Sequence, residues 1–234
     1  MARLFKLPPP RMGSRGQPEA SRAAILRAAT REFADYGIDG ARTDAIARDA
    51  KVNKALLYYY FKDKETLYGA ALDNAFEGLK AAIFRVLDSD LPPRAKLQAY
   101  VGAYFDFIAS NQMYPRLMQR EMMRAKEGRS QHLDKLAREY LQPIFSRVSK
   151  LLLEGISQGE FREVDPVHFV PTMVASIIFY FSGAPVMQKI VGFNPLAPER
   201  IAERRAAVLD FISAALFRPD VKADIGPGAR GARS

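Results

Sequence analysis

Apolar residues recur at helical spacing along most of the chain. In the first predicted helix they are Ile25, Ala29, Phe33 and Tyr36, at spacings of 4, 4 and 3 residues that place them on one face. Gly37 follows them and predicts the end of that helix. No stretch alternates convincingly between apolar and polar residues, as a half-buried strand would. The pattern therefore predicts an all-α protein of about nine helices.

Two short helices joined by a tight turn are predicted between residues 43 and 61. Thr43 is a suitable N-cap for the first helix, residues 51–53 form the turn, and Asn53 is placed to cap the second helix. With the helix that precedes them, these two helices have the order and lengths of a helix-turn-helix, whose last helix enters the major groove of DNA. Many helical pairs share this periodicity, so the pattern alone is weak evidence for DNA binding.

The outer surface of the second short helix carries the chemistry that DNA contacts require. Leu57 and Phe61 lie four residues apart and can pack inward, and we expect Tyr60 to pack as well, because three consecutive tyrosines cannot all face outward. Hydroxyls and lysines suit contacts with phosphates, which predicts that role for Thr43, Tyr58, Tyr59 and Lys64. The predicted base contacts are Lys54 with guanine, and Ala55 and Leu56 with thymine methyl groups.

A longer helical region follows the two short helices. A helix that begins after Asp63 carries apolar residues on one face as far as Leu87, and the Pro-containing segment after it is the best boundary between domains. The predicted units are a flexible basic arm, a helix-turn-helix domain, a C-terminal helical domain and a disordered tail, at residues 1–17, 18–68, 69–218 and 219–234. Arg11 and Arg15 make the arm a candidate for contacts with phosphates or the minor groove.

A ligand pocket would have to lie among the middle helices of the C-terminal domain. Its candidate walls are Tyr104, Phe107, Met118, Met122, Phe145 and Met173, with Glu121 as a polar anchor. Met side chains adapt to different shapes, which suits a largely apolar ligand. Aromatic and Met residues at helical spacing also fill ordinary cores, and that interpretation stays open.

The composition removes several classes of function. The chain has no Cys and only two His, His132 and His168, so disulfides, thiolate metal sites and Cys nucleophiles are excluded. We identify no constellation of carboxylates, metal ligands or nucleophiles, and we predict no enzyme activity, no metal and no cofactor. Polar residues interrupt the longest apolar stretch and no signal peptide is visible, so a soluble cytoplasmic protein without a membrane partner is expected.

The net charge favours a polyanionic partner. The formal charge is +9, and residues 1–69 carry 13 Lys or Arg against 8 Asp or Glu. Positive charge is therefore densest at the end of the chain that holds the short helices. Double-stranded DNA is the partner that this placement and the helix pattern favour together.

Residues 22–68 resemble the N-terminal domain of the TetR/AcrR family of bacterial transcriptional repressors. The matching residues are R-x-x-I-L-x-A-A-x-x-x-F-x-x-Y-G, then T-D-A-I-A, then A-x-V-N-K-A-L-L-Y-Y-Y-F-K-D-K-E-x-L-Y. Two residues occupy positions where the family frequently has Gly. They are Lys51 in the turn and Ala55; at Lys51 either the backbone is left-handed at a modest cost in strain or the turn differs slightly from that of the family. The resemblance implies contacts with DNA at Thr43, Asn53, Lys54, Ala55, Tyr58, Tyr59 and Lys64.

The resemblance also implies a function. It implies a ligand-responsive regulator, a repressor that binds a near-palindromic operator as a homodimer and is released by a small, largely apolar molecule. The C-terminal domain would bind the ligand and dimerise, with its last two long helices, at residues 165–181 and 198–217, packing as a four-helix bundle. A small-molecule carrier that retains the helix-turn-helix as a scaffold is the alternative.

Overall fold

The computed structural model describes residues 18–219. The predicted basic arm, residues 1–17, and the predicted tail beyond residue 219 lie outside the described residues. Within the described part every regular element is helical, as the sequence predicted, and the β-structure is limited to an isolated bridge between Phe161 and Phe217. In chain order the helices are Pro18–Gly40 (α1), Thr43–Asp49 (α2), Lys54–Tyr60 (α3), Lys64–Leu87 (α4), Pro93–Ser110 (α5), Met113–Lys126 (α6), Leu133–Leu136 (α7), Gln142–Ser157 (α8), Pro166–Ser182 (α9), Ala184–Val191 (α10) and Pro198–Leu216 (α11).

Helix α4 connects the two halves of the molecule. It packs against α1 on the N-terminal side and against α5 and α8 on the C-terminal side. The apolar residues that the sequence placed on one face of this helix are all buried, and they are Leu67, Leu72, Phe76, Leu79, Ile83 and Leu87. Their spacing of three to five residues keeps them in one stripe, so a single helix contributes to the cores of both domains.

The apolar spacing over residues 131–158 predicts one long helix that Pro143 should kink or break, and the structure divides it. Helix α7 runs into a π-helical turn, Ala137–Leu141, and α8 begins at Gln142 with Pro143 in its first turn. Proline has no amide hydrogen and its ring crowds the preceding turn, so a regular α-helix cannot continue through it. The break that the sequence predicted at Pro143 is therefore confirmed, and the backbone absorbs it as a π turn.

Helix α10 is an element that the sequence analysis missed. Gly183 and Pro185 predicted a bend or stop after α9, and the chain does bend there by 68°, but it then forms another helix. Proline is compatible with the first turn of a helix because the amide hydrogens there have no partner within the helix. No single helix among the described residues is long and apolar enough to cross a membrane, and the bent pair α9–α10 passes that test by length and composition only.

Candidate nucleic-acid interface

Helices α2 and α3 are held on α1 by a small apolar core. Ile46, Ala47, Leu57 and Phe61 are buried, and both short helices contact α1. The guanidinium of Arg22 lies 5.4 Å from the centre of the Phe61 ring, a cation–π contact that covers the end of α3. The inward positions predicted for Leu57 and Phe61 are confirmed, and the opposite face of α3 is left for a partner.

Thr43 does not have the capping role that the sequence predicted. It is the first residue of α2, the N-cap position belongs to Arg42, and no side chain caps this helix. The Thr43 hydroxyl instead lies 3.3 Å from the phenol oxygen of Tyr58, within hydrogen-bond distance across to α3. A threonine hydroxyl can form a hydrogen bond with the nearby backbone or with another side chain, and here its neighbour is the hydroxyl of Tyr58. The contact brings two of the predicted phosphate-binding residues side by side.

The turn between α2 and α3 has one of the two geometries expected at its unusual lysine. Lys51 has a φ of 56°, in the left-handed region, and among the described residues it is the only non-glycine with positive φ. Its amide donates to the Arg48 carbonyl at 3.1 Å and the Val52 amide donates to the Ala47 carbonyl at 2.9 Å. These two bonds close the helix end in a Schellman arrangement, which normally uses glycine at this position.

Two side chains cap the helices that follow the turn. The Asn53 side-chain oxygen accepts a hydrogen bond from the Leu56 amide at 2.7 Å, so the predicted cap of α3 is confirmed. The Asp63 carboxylate accepts one from the Thr66 amide at 2.7 Å and caps α4. The backbone amide and the side-chain hydroxyl of Thr66 hold the pKa of Asp63 below its usual value. Both caps fix where α3 begins and where the chain turns away from it.

The three consecutive tyrosines of α3 differ in how much of each side chain is exposed to solvent. Tyr59 is 80% exposed and Tyr58 is 41% exposed, whereas Tyr60 is partly buried against the core. The rings of Tyr59 and Tyr60 meet edge to face with centroids 5.4 Å apart. The choice of Tyr60 as the packed tyrosine is therefore confirmed. Ala55 is also exposed and Leu56 is half-buried on this helix.

Lys54 is an exposed lysine whose charge is already paired in the free protein. Its ammonium lies 2.8 Å from a carboxylate oxygen of Asp44, a contact that no sequence pattern predicted. The hydrogen bond from Lys54 lowers the pKa of Asp44, with lesser contributions from the positive charges of Arg42 and Arg48. The same bond raises the pKa of Lys54. To contact a base, Lys54 would thus have to break its ion pair with Asp44 or contact Asp44 and the base at the same time.

Other cations lie close to this surface and were not among the predicted DNA contacts. Arg42, Arg48, Lys51 and Lys62 are exposed, and none has a salt bridge within residues 18–219. Lys64 is half-buried, and its ammonium donates to the Ala41 carbonyl at 3.3 Å. Arg42, Lys51 and Lys62 lie in the segments that flank α2 and α3, and this position could have identified them, because turns between short helices must lie at the surface. Arg48 lies within the last turn of α2.

The DNA-binding half is attached to the rest of the molecule by the arginines of α6. Arg116 donates to the Asp35 carboxylate at 3.0 Å, and Arg120 donates to the backbone carbonyls of Ala34 and Asp35. In the sequence Arg116, Arg120 and Arg124 recur at a spacing of four residues, which predicts a charged stripe on one face of the helix but not what that stripe faces. It faces the end of α1, where Gly37, with a φ of 67°, kinks the helix.

The third arginine of the stripe belongs to a buried charge cluster between α4 and α6. Arg124 lies 3.2 Å from Glu65 and 3.6 Å from Glu121, a carboxylate with no exposed surface. Ser130 donates a hydrogen bond to Glu121, and a ring nitrogen of His132 lies 3.0 Å from Glu65. Glu121 contacts Ser130 and Arg124, and its Oε2 is a buried atom without a hydrogen-bond partner, so its role as the polar anchor of a ligand stays a prediction.

The remaining predicted pocket residues do not share one cavity wall. Tyr104 and Met173 are buried, and Phe107 and Met118 are partly buried against the core. Met122 is 57% exposed and Phe145 lines a shallow surface depression on α8, so neither is placed as an interior wall in this chain. The helical period located these residues on their helices but did not tell which face each helix buries.

Three buried tyrosines lie where the pocket was expected. Tyr100, Tyr104 and Tyr114 are almost fully buried, and their hydroxyls make no hydrogen bond with any described residue. Burial raises the pKa of each phenol well above its ordinary value, so all three stay protonated donors. Phe76 and Phe107 pack on Tyr114 with ring centroids 5.0 and 5.7 Å away. Buried hydroxyls normally have partners, so this cluster is a place for a polar group of a ligand or water.

The described residues contain no group of three or more His, Cys, Asp or Glu that could hold a metal ion. What the interface does provide is a short exposed helix with hydroxyls, amide groups and cations, carried by two supporting helices. This arrangement defines a helix-turn-helix DNA-binding protein.

Comparison with known proteins identifies the family. A family model described as "Bacterial regulatory proteins, tetR family" matches residues 25–71, and one described as "Tetracyclin repressor-like, C-terminal domain" matches residues 93–212. The chain belongs to the TetR family of bacterial transcriptional regulators. Regulators of this family bind DNA operators and form dimers, and the family is not one of enzymes.

Individual relatives agree with this assignment. The chain is 29% identical over 173 residues to the HTH-type transcriptional regulator RutR of Escherichia coli (strain K12), covering 74% of this chain and 79% of RutR. It is 26% identical over 174 residues to the HTH-type transcriptional repressor SCO4008 of Streptomyces coelicolor, covering 74% and 84% of the two chains. The crystal structure of the transcriptional regulator SCO4942 from Streptomyces coelicolor superposes with a TM-score of 0.64 at 28% identity, over 85% of this chain and 99% of that one.

Proposed function

We propose that this regulator is a repressor that binds a near-palindromic operator as a homodimer and leaves it when a small molecule binds the C-terminal domain. The observation that carries the DNA-binding role is the exposed face of α3, where Tyr59 is 80% exposed beside Tyr58 and the Thr43 hydroxyl. Exposed aromatic hydroxyls surrounded by cations without salt bridges suit a phosphate backbone. A small-molecule carrier would have no need of this surface.

Each predicted contact has a definite role in the proposal. Thr43, Tyr58, Tyr59 and Lys64 would contact phosphates, with Arg42, Arg48 and Lys62 adding charge. Lys54, once released from Asp44, would contact guanine, with Ala55 and Leu56 beside it against thymine methyl groups. The oxygen of Asn53 caps α3, so its amide group is the part left to bind DNA.

Exposed apolar side chains support a dimer through the last helices. Val167 and Phe179 on α9, and Phe211 on α11, are 60% or more exposed in the single chain. Large apolar side chains in such numbers on one part of a surface mark an interaction site, and a second copy would cover them. A two-fold dimer presents two copies of α3 to successive major grooves, which is why the operator should be nearly palindromic.

The tyrosine cluster is the place we propose for the polar group of the effector. Phenol hydroxyls of Tyr100, Tyr104 and Tyr114 would donate to an acceptor such as a carbonyl oxygen, inside walls formed by Phe76 and Phe107. Binding there would favour one arrangement of α4, α5 and α6, and α4 and α6 are the helices that hold the DNA-binding half. The effector can act only by binding that arrangement more tightly than the operator-bound one.

The assignment is tested by measuring binding of the purified full-length protein to the DNA that flanks its own gene. Fluorescence anisotropy should show affinity that falls as salt is raised, and Lys54→Ala and Tyr59→Ala should each weaken it. Lys189→Ala, on α10 and away from α3, is the matched control and should bind as the wild type does. Binding that both interface variants leave unchanged would contradict the proposed surface.

A further inference from the structure

A cleft in the C-terminal domain, near the start of α6, is separate from the tyrosine cluster. Its walls are the start of α6, the bend between α9 and α10, and the segment that leads to α11. The cavity volume is about 120 Å³, partly open to solvent, which is below the volume of a drug-sized site and limits the ligand to a small molecule. The polar side chains of its wall are those of Gln112, Arg116, Ser182, Gln188 and Asn194.

The wall of this cleft is suited to an anion. It contains one guanidinium, three amides and a hydroxyl, and no carboxylate. The side chains of Gln188 and Ser182 make no hydrogen bond within residues 18–219, and the Asn194 oxygen accepts from the Leu196 amide at 3.0 Å, which leaves its NH2 group free to donate. Donors on one wall favour a negatively charged ligand, and the carboxylate that Arg116 contacts, that of Asp35, lies outside this wall. Buried Phe181 supplies an apolar surface beside them.

Arg116 connects this cleft to the DNA-binding half. Its guanidinium donates to the Asp35 carboxylate of α1 at 3.0 Å, and both side chains are about half exposed. Exposed ion pairs are weak, so a ligand carboxylate that binds the guanidinium through two oxygens can replace Asp35. One turn further along α6, Arg120 contacts α1 through backbone carbonyls and does not line the cleft.

We propose that this cleft binds a small organic anion, a carboxylate carried on an apolar or aromatic body, which competes with Asp35 for the Arg116 guanidinium. Binding of the anion removes one of the contacts that orient α1, and hence α2 and α3, relative to α6. By linkage, the anion and the operator weaken each other's binding by the same factor. This regulatory consequence rests on the proposed repressor function, whereas the binding site itself does not.

The test is calorimetric titration of the full-length protein with benzoate and hexanoate, and with the uncharged benzamide as a comparison. At least one anion should bind saturably, and benzamide should bind at least about tenfold more weakly than benzoate, the loss of one charged contact. Arg116→Gln should weaken the binding of the anion by about tenfold or more. Gln188→Ala, which has no contact with α1 to disturb, should weaken it by a smaller factor.

Two further variants test whether the anion competes with Asp35 for Arg116 or is only attracted by the positive charge of α6. Asp35→Asn removes the competing carboxylate, so it should strengthen binding of the anion. Arg120→Gln is the matched control on the same helix and should leave anion binding unchanged. Circular dichroism of each variant shows whether it is folded.

Three results would overturn the proposal. They are no saturable binding of either anion, binding that Arg116→Gln and Gln188→Ala both leave unchanged, and weaker binding in Asp35→Asn. Because these titrations contain no DNA, a negative result leaves the regulator assignment standing. Failure of operator binding, in turn, leaves the site intact.

Discussion

The arginines of α6 offer a direct comparison between an exposed and a buried ion pair. Arg116 and Asp35 have side chains that are 53% and 46% exposed, whereas Arg124 is 13% exposed and its partner Glu121 is 0% exposed. Arg124 also contacts Glu65 at 3.2 Å and lies over the ring of Tyr68 at 5.1 Å. The two arginines occupy the same helix and differ both in exposure and in the number of carboxylates that each contacts.

The burial of each ion pair determines how far its loss should lower the free energy of unfolding. Arg116→Gln removes an exposed pair, which should lower the free energy of unfolding by at most about 1 kcal/mol. Arg124→Gln leaves the Glu121 carboxylate without its cation and with only the Ser130 hydroxyl as a partner. An uncompensated buried charge typically costs about 3–5 kcal/mol. The second substitution should therefore destabilise the protein several times more than the first.

Urea denaturation followed by circular dichroism measures both effects. The protomer concentration must be the same in all samples, because the stability of a dimer depends on it. The double variant Glu121→Gln with Arg124→Gln removes both buried charges, so it should be more stable than Arg124→Gln alone. The double-mutant cycle then gives the coupling between the two side chains.

If Arg116→Gln and Arg124→Gln lowered the free energy of unfolding equally, burial would not explain the stability of these ion pairs. The same would follow if adding Glu121→Gln to Arg124→Gln recovered no stability. Either result would mean that Glu121 is solvated or protonated in the folded protein, despite having no exposed surface.

Further predictions concern the turn, a helix cap and the dimer. Lys51→Gly should raise the free energy of unfolding, measured by urea denaturation, by up to about 1 kcal/mol. It relieves a left-handed backbone strain of about 1–2 kcal/mol, part of which is offset by the greater freedom of glycine in the unfolded chain. Lys51→Ala keeps a Cβ at this position and should give no such gain. The pKa of Asp63 is lowered on folding, so its stabilising contribution is present above the usual value of 3.8 and is lost as the pH falls below it. The stability difference between wild type and Asp63→Ala should therefore shrink in acid denaturation below that pH, and an unchanged difference would contradict the cap. Phe211→Asp should shift the protein towards monomer in sedimentation velocity, whereas Leu153→Asp on α8 should not.

Much of the helix-turn-helix could be predicted from the sequence because its signals are local. The Asn53 cap, the left-handed Lys51 and the inward Leu57 each depend on residues within one turn of the chain. Thr43 was misjudged for the opposite reason. Its hydroxyl lies beside Tyr58, fifteen residues away in the sequence, and only the packing of α3 against α2 brings the two together.

The ligand-binding half was less predictable. Its helices followed from periodicity, but the exposure of Met122 and Phe145 depends on which neighbours cover each helix. Helix α10 was missed because Pro185 is compatible both with a stop and with a first helical turn. The pairing of Lys54 with Asp44 likewise depends on how α3 is placed beside α2.

The sequence by itself determined the all-helical class, the positions of most helices, the short pair that defines the DNA-binding motif, and the positive charge beside it. Each of these follows from the spacing of side chains along a helix or from one residue's backbone preference. Only the tertiary structure decided that the arginines of α6 hold α1 and α4, that Glu121 is buried with Arg124, and that Tyr100, Tyr104 and Tyr114 are buried in the core. Such contacts join residues far apart in the chain, and their free energy depends on burial, which periodicity alone does not specify.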